Sequence, residues 1–201
     1  MMRSGTTVLR LILGKVFNDE QCFDNYEYRW DIKDTHGYEN IVNDNNLLIT
    51  TWRDPKDVVV SIMRVRGTDS SDTNAIIKQC KRILNTFYSI RQVEKENPTL
   101  VLKYENWHED FDYLFNALEK TYNGKITKKV RNLVKKEYSK KSVIKKQESF
   151  SGFKQWDKET HIHGNHIHSG FKQWDTVFTK EQIEIINNEL APMIKYWEEL
   201  K

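Results

Sequence analysis

Leu47-Leu48-Ile49-Thr50-Thr51-Trp52-Arg53-Asp54-Pro55-Lys56-Asp57-Val58-Val59-Val60-Ser61 is the stretch on which the fold turns. Its first six residues form an uncharged run, too short for a helix and rich in strand-type residues, as expected of a parallel strand buried on both faces. Asp54-Pro55 then opens a helix, because the acid can cap it and proline is tolerated in a first turn. Ligands of open parallel sheets bind beyond the carboxyl ends of strands, so Arg53 is placed where an anion would lie. Ser61 lies about two helical turns further on and reaches the same ligand only if that ligand lies over the helix flank. The competing reading pairs Arg53 with Asp54 or Asp57 and turns Ser61 to solvent.

The flanking segments continue the alternation. Upstream, Thr6 to Val16 reads as a helix, with Val8, Leu9, Leu11, Ile12 and Val16 gathered on one side. Downstream, Thr73 to Glu96 presents Ile76, Cys80, Ile83, Phe87 and Ile90 at helical spacing until Asn97-Pro98 stops it. Thr99 to Tyr104 reads as a second short strand, and Glu109 to Tyr122 and Ile126 to Tyr138 as helices. A last helix starts at a capping box, Thr179-x-x-Gln182, and turns Ile183, Ile186, Leu190, Ile194 and Trp197 inward. Strands alternating with helices predict an α/β fold with a parallel sheet.

Length and composition narrow the classes. A chain of 201 residues with 38% apolar residues and only 3 prolines is ample for a buried core and is neither fibrous nor a disordered tail. No apolar run reaches the roughly eighteen residues of a membrane span, and no basic-then-apolar leader precedes the first motif. The two cysteines, Cys22 and Cys80, form no C-x-x-C pair, so a reducing, cytoplasmic setting is expected. Charge is uneven: from Asn18 to Asn46 eight acids face two bases, whereas from Lys125 to Lys146 ten bases face Glu137 alone. The basic run is either a solvated helix face or a stripe that attracts polyanions.

At the start of the chain, Arg3-Ser4-Gly5-Thr6-Thr7 runs straight into the first helix. A small, glycine-containing turn there offers unpaired N–H groups, hydroxyls and the positive end of the helix dipole to a phosphate or sulfate. No Gly-Lys-Ser/Thr is present, which disfavours ATP or GTP hydrolysis. Together, Arg3 to Thr7 and Arg53 to Ser61 resemble, in order and spacing, the two cofactor motifs of the sulfotransferases that use 3′-phosphoadenosine 5′-phosphosulfate (PAPS). The resemblance implies that Arg3, Ser4, Gly5, Thr6 and Thr7 bind the 5′-phosphosulfate, with Arg3 also catalytic, and that Arg53 and Ser61 bind the 3′-phosphate. Lys33-Asp34-Thr35-His36 resembles the family's Lys-Thr-His, with an inserted Asp, which makes His36 the catalytic base. Leu102-Lys103-Tyr104-Glu105-Asn106 resembles the strand end that places Tyr104 near the adenine. Gly170-Phe171-Lys172-Gln173-Trp174 and the segment from Phe178 to Gln182 resemble the closing Gly-x-x-x-Trp loop and final helix.

The implied fold is a P-loop NTPase-like three-layer α/β domain over residues 1–201 with a central parallel sheet; only Met1-Met2 precede Arg3, so either the strand that usually comes before the phosphosulfate loop is lacking or another segment fills its place. The implied reaction is in-line sulfuryl transfer to a hydroxyl or amine of a small-molecule or glycan acceptor, leaving 3′,5′-adenosine bisphosphate, with no metal and no nucleic-acid partner. The family's Arg-Lys-Gly phosphate contact reads His168-Ser169-Gly170 here, so His168 or Lys172 takes the place of the missing bases. Ser-Gly-Phe-Lys-Gln-Trp-Asp occurs twice, at Ser151 to Asp157 and Ser169 to Asp175, around a His161 to His168 run that lacks the cysteine or carboxylate spacing of a zinc site. The rival classes are a P-loop nucleotide kinase and a non-catalytic binder of sulfated or phosphorylated polymers acting through Lys125 to Lys146.

Overall fold

The computed structural model describes residues 6–18, 48–152, 155–158, 160, 162, 164 and 171–200. They divide between two compact units, one holding residues 48–105 and 171–200, the other residues 6–18 and 106–164.

The first unit is built on the parallel pair that the opening stretch predicts. β1 (Leu48–Trp52) lies beside β2 (Thr99–Lys103), with Trp52 opposite Lys103. Thr50, Thr51 and Trp52 are buried in succession, which is the two-faced burial expected of a parallel strand. Two helices make the crossover. In α2 (Pro55–Arg66) the Asp54 side chain caps the Lys56 N–H, and Gly67 ends the helix with φ 59, a left-handed conformation that costs glycine nothing. α3 (Thr73–Glu96) runs to Asn97 as predicted. Val58, Val59, Ile62 and Met63 of α2 and Ile76, Cys80, Ile83 and Phe87 of α3 pack around Trp52. Each fully buried side chain of this size is worth about 1.5–3 kcal/mol. Burial also pushes the Cys80 thiol up to about 12, which removes it as a nucleophile near neutral pH.

The C-terminal helix departs from expectation. Behind a single-turn helix, α8 (Trp174–Val177), its capping box forms, with the Thr179 and Gln182 side chains bonded to each other's backbone N–H, but the segment is two helices, α9 (Lys180–Glu189) and α10 (Ala191–Glu199). Pro192 in the first turn of α10 has no N–H to continue α9, so the axis breaks at Leu190. Ile186, Leu190 and Met193 are the buried apolar residues here, while Ile183, Ile194 and Trp197 are half-buried against the same core.

The second unit is helical among its described residues. α1 (Thr6–Asn18) buries Val8, Leu9, Ile12, Leu13, Val16 and Phe17. Tyr104, which belongs to the first unit, is not the last residue of β2 but the first of a short helix, α4 (Tyr104–Glu109), whose residues from Asn106 on belong to the second. Asp110 then caps a new helix, α5 (Phe111–Tyr122), which is the helix expected from Glu109 to Tyr122 starting two residues later; the unforeseen element is α4. α6 (Lys128–Tyr138) starts behind Thr127, whose hydroxyl accepts the Val130 N–H, and a further helix, α7 (Lys140–Gln147), starts behind Ser139. Sequence reading passed over α7 because its bases mask a single buried apolar residue, Val143. Arg131 of α6 bonds Asp112 and Glu119 of α5 at 3.1 and 2.7 Å, and Lys135 reaches Asp112 at 2.6 Å.

The described residues therefore show helices and a two-stranded parallel sheet, an α/β arrangement in the coarse sense. The larger central sheet implied by the P-loop resemblance is not among them. No helix among the described residues is long and apolar enough to cross a membrane.

Candidate functional site

The carboxyl ends of β1 and β2 lie in register, so the residues that follow each strand meet. Arg53 and Asp54 leave β1, while Tyr104 and Glu105 leave β2. The Arg53 guanidinium sits 5.1 Å from the centre of the buried Tyr104 ring, within cation–π range. Glu105 accepts the Asp54 N–H at 2.8 Å and the Trp197 indole N–H at 3.1 Å, tying the strand end to α10.

Asp57 is the hub. Its side chain, fully inaccessible, accepts Lys172 N–H at 3.0 Å and Gln173 N–H at 2.9 Å, and receives Arg53 Nη2 at a longer 3.4 Å. Asp54 accepts the Trp174 indole N–H at 3.0 Å, and the Lys56 ammonium lies 4.7 Å from the Trp174 ring centre. Phe171 meets Tyr104 edge to face at 6.1 Å. Thus four consecutive residues, Phe171 to Trp174, dock onto the Arg-Asp-Pro-Lys-Asp segment. Docking forces Lys172 to φ 58, a left-handed conformation that a lysine adopts at a cost of about 1–2 kcal/mol. Such strain concentrates at ligand clamps and is sustained by its surroundings, here the two N–H bonds to Asp57.

Arg53 is mostly buried, at 13% side-chain exposure, and its Nε is buried with no hydrogen-bond partner among the described residues. A charged donor in that state has capacity for a further acceptor. Ser61 is buried at 8% exposure and follows Asp57 by one turn, so the two share a helix face. Burial pushes the Asp54 and Glu105 carboxyls up from the usual range, against the hydrogen bonds each accepts. A raised acid binds its proton more readily in the folded state, so these two groups contribute less stability as pH rises through the raised range.

Sequence reasoning placed Arg53, Ser61, Tyr104 and Lys172 in one site. Arg53, Tyr104 and the Lys172 backbone do come together around Asp57. The competing reading was half right: Arg53 pairs with Asp57, but Ser61 is buried. Lys172 contributes its N–H to Asp57, and its side chain is exposed. Thr6 and Thr7 open α1 in the other unit. Arg3, Ser4, Gly5, His36, His168, Ser169 and Gly170 lie outside the described residues, as does most of the histidine run. The residues missed were Asp54, Asp57, Glu105 and Trp174. The signal that could have found them is three acids at two strand ends, which cannot all be buried without donors.

No protein-family model matches the chain, and no curated protein matches its sequence.

Proposed function

We propose that the chain is a PAPS-dependent sulfotransferase of P-loop-like three-layer architecture, and the observation that carries this reading is the Nε of Arg53 at the end of β1, buried and without a hydrogen-bond partner among the described residues. Arg53 and Ser61 hold the 3′-phosphate, Arg53 by a charge-assisted bond and Ser61 by its hydroxyl. The Tyr104 and Phe171 rings give the adenine an apolar edge, and Lys172 supplies the positive charge that the altered His168-Ser169-Gly170 segment lacks. The loop from Arg3 to Thr7 takes the 5′-phosphosulfate on its N–H groups and hydroxyls. Bound PAPS brings an activated sulfuryl group, and the protein's part is to align it with an acceptor and accept the acceptor's proton on His36. Arg3 and the loop donors stabilise charge that grows on the phosphate side.

The test is transfer of labelled sulfate from PAPS to a panel of sugars, phenols, alcohols and peptides. The reading expects label in at least one hydroxyl or amine acceptor and release of 3′,5′-adenosine bisphosphate in equal amount. Transfer of phosphate from Mg-ATP with none from PAPS would replace it with the kinase reading.

A further inference from the structure

Of the ten bases from Lys125 to Lys146, eight fall into two sets once their partners are known. Arg131 and Lys135 are held by Asp112 and Glu119, and Lys146 lies 3.3 Å from Asp157. Glu137, the acid within the run, is engaged by Lys15 at 3.5 Å. Lys128, Lys129 and Lys136 on α6 and Lys141 and Lys145 on α7 are exposed and have no ion-pair partner among the described residues. On α6, Lys129 and Lys136 are seven apart and project almost in line. On α7, Lys141 and Lys145 are four apart and share a face.

The chemistry of this surface selects among polyanions. The exposed residues of the two helices are all polar, so nothing on them would insert into the acyl region of a membrane. No aromatic residue is exposed on them, since Tyr138 is buried, so a nucleic acid would find no stacking platform. The single arginine, the residue suited to bidentate phosphate recognition, is turned inward onto Asp112, Glu119 and the Phe115 ring. What remains is a set of lysine point charges spaced along two helices, which fits a flexible, hydrated chain of spaced anions.

We propose that α6 and α7 form a binding face for a linear sulfated or carboxylated glycan. This inference stands apart from the PAPS reading, because it needs no turnover and uses none of the cofactor residues. Binding releases counterions, so affinity falls steeply with salt. The experiment uses the full chain, heparin as the probe and two matched variants. One carries Lys129→Ala, Lys136→Ala, Lys141→Ala and Lys145→Ala. The other removes the same charge elsewhere, by Lys78→Ala, Lys81→Ala, Lys95→Ala and Lys180→Ala. The slope of log affinity against log salt should fall by about one unit per lysine removed in the first variant and by less than one unit in total in the second. Equal losses in both variants would reduce the face to net charge and overturn the proposal. Tighter binding of a single-stranded DNA oligonucleotide of equal charge, or of phosphatidylserine vesicles, than of heparin would overturn it in favour of those partners.

Discussion

Glu94→Ala is expected to destabilise the first unit by about 3–5 kcal/mol, the loss that follows when one member of a buried charged network is removed. Glu94 is on the last turns of α3, and its side chain is 2% exposed. One oxygen accepts the Thr50 hydroxyl and the Trp52 indole N–H, the latter at 2.8 Å; the other accepts Arg91 and, at 3.2 Å, the Tyr196 hydroxyl. The same carboxylate therefore links β1, α3 and α10. Arg91 completes the network by stacking 3.9 Å from the Tyr196 ring centre and bonding its hydroxyl at 2.8 Å. Burial, with the Glu94 charge as a second cause, pushes the Tyr196 phenol up, so it stays a neutral donor. Truncation takes the shared acceptor from the buried Thr50 hydroxyl and Trp52 indole N–H, each left unsatisfied at a cost of about 1–3 kcal/mol, and also from the Tyr196 hydroxyl and the Arg91 guanidinium. Urea denaturation of the full chain measures the loss. Glu94→Gln, which keeps one acceptor oxygen, should lose less, and equal losses would show that charge and not acceptor count holds the network.

The second large effect concerns chemistry. If His36 is the base, His36→Ala should lower sulfate transfer by about 10²–10⁴-fold while leaving the affinity for 3′,5′-adenosine bisphosphate nearly unchanged, because a base acts on the acceptor. A loss within about threefold, far below what a placed base supplies, would remove His36 from that role and make Glu39 the next candidate.

What the sequence discloses and what it hides follow from the range of the forces involved. β1, α2, α3 and the α9 capping box are legible because their signals are local: an apolar run, a capping acid followed by proline, helical periodicity and a Thr-x-x-Gln pair. The break at Leu190 is not, since the apolar pattern runs across it and only the missing N–H of Pro192 interrupts the helix. Asp57 was readable as a member of a motif, but its hold on Lys172 and Gln173, more than a hundred residues away in sequence, has no periodic trace. The two Ser-Gly-Phe-Lys-Gln-Trp-Asp copies show the same limit. Trp174 bonds Asp54, whereas Trp156 in the identical heptad is 56% exposed, so tertiary setting decides what one sequence does twice.

Arg53 is proposed to answer a 3′-phosphate, the group that separates PAPS from the nucleotides of ATP-using P-loop enzymes. Thermal unfolding with saturating 3′,5′-adenosine bisphosphate, compared with ADP, tests it most directly. A ligand at a hundredfold excess over its dissociation constant stabilises the native state by about 2.7 kcal/mol, a readily visible shift in melting temperature. The bisphosphate should stabilise the protein well beyond ADP, and Arg53→Ala should abolish that preference by leaving the phosphate without its charge-assisted partner. Equal stabilisation by both nucleotides, or by neither, or a preference that survives Arg53→Ala, would contradict the account.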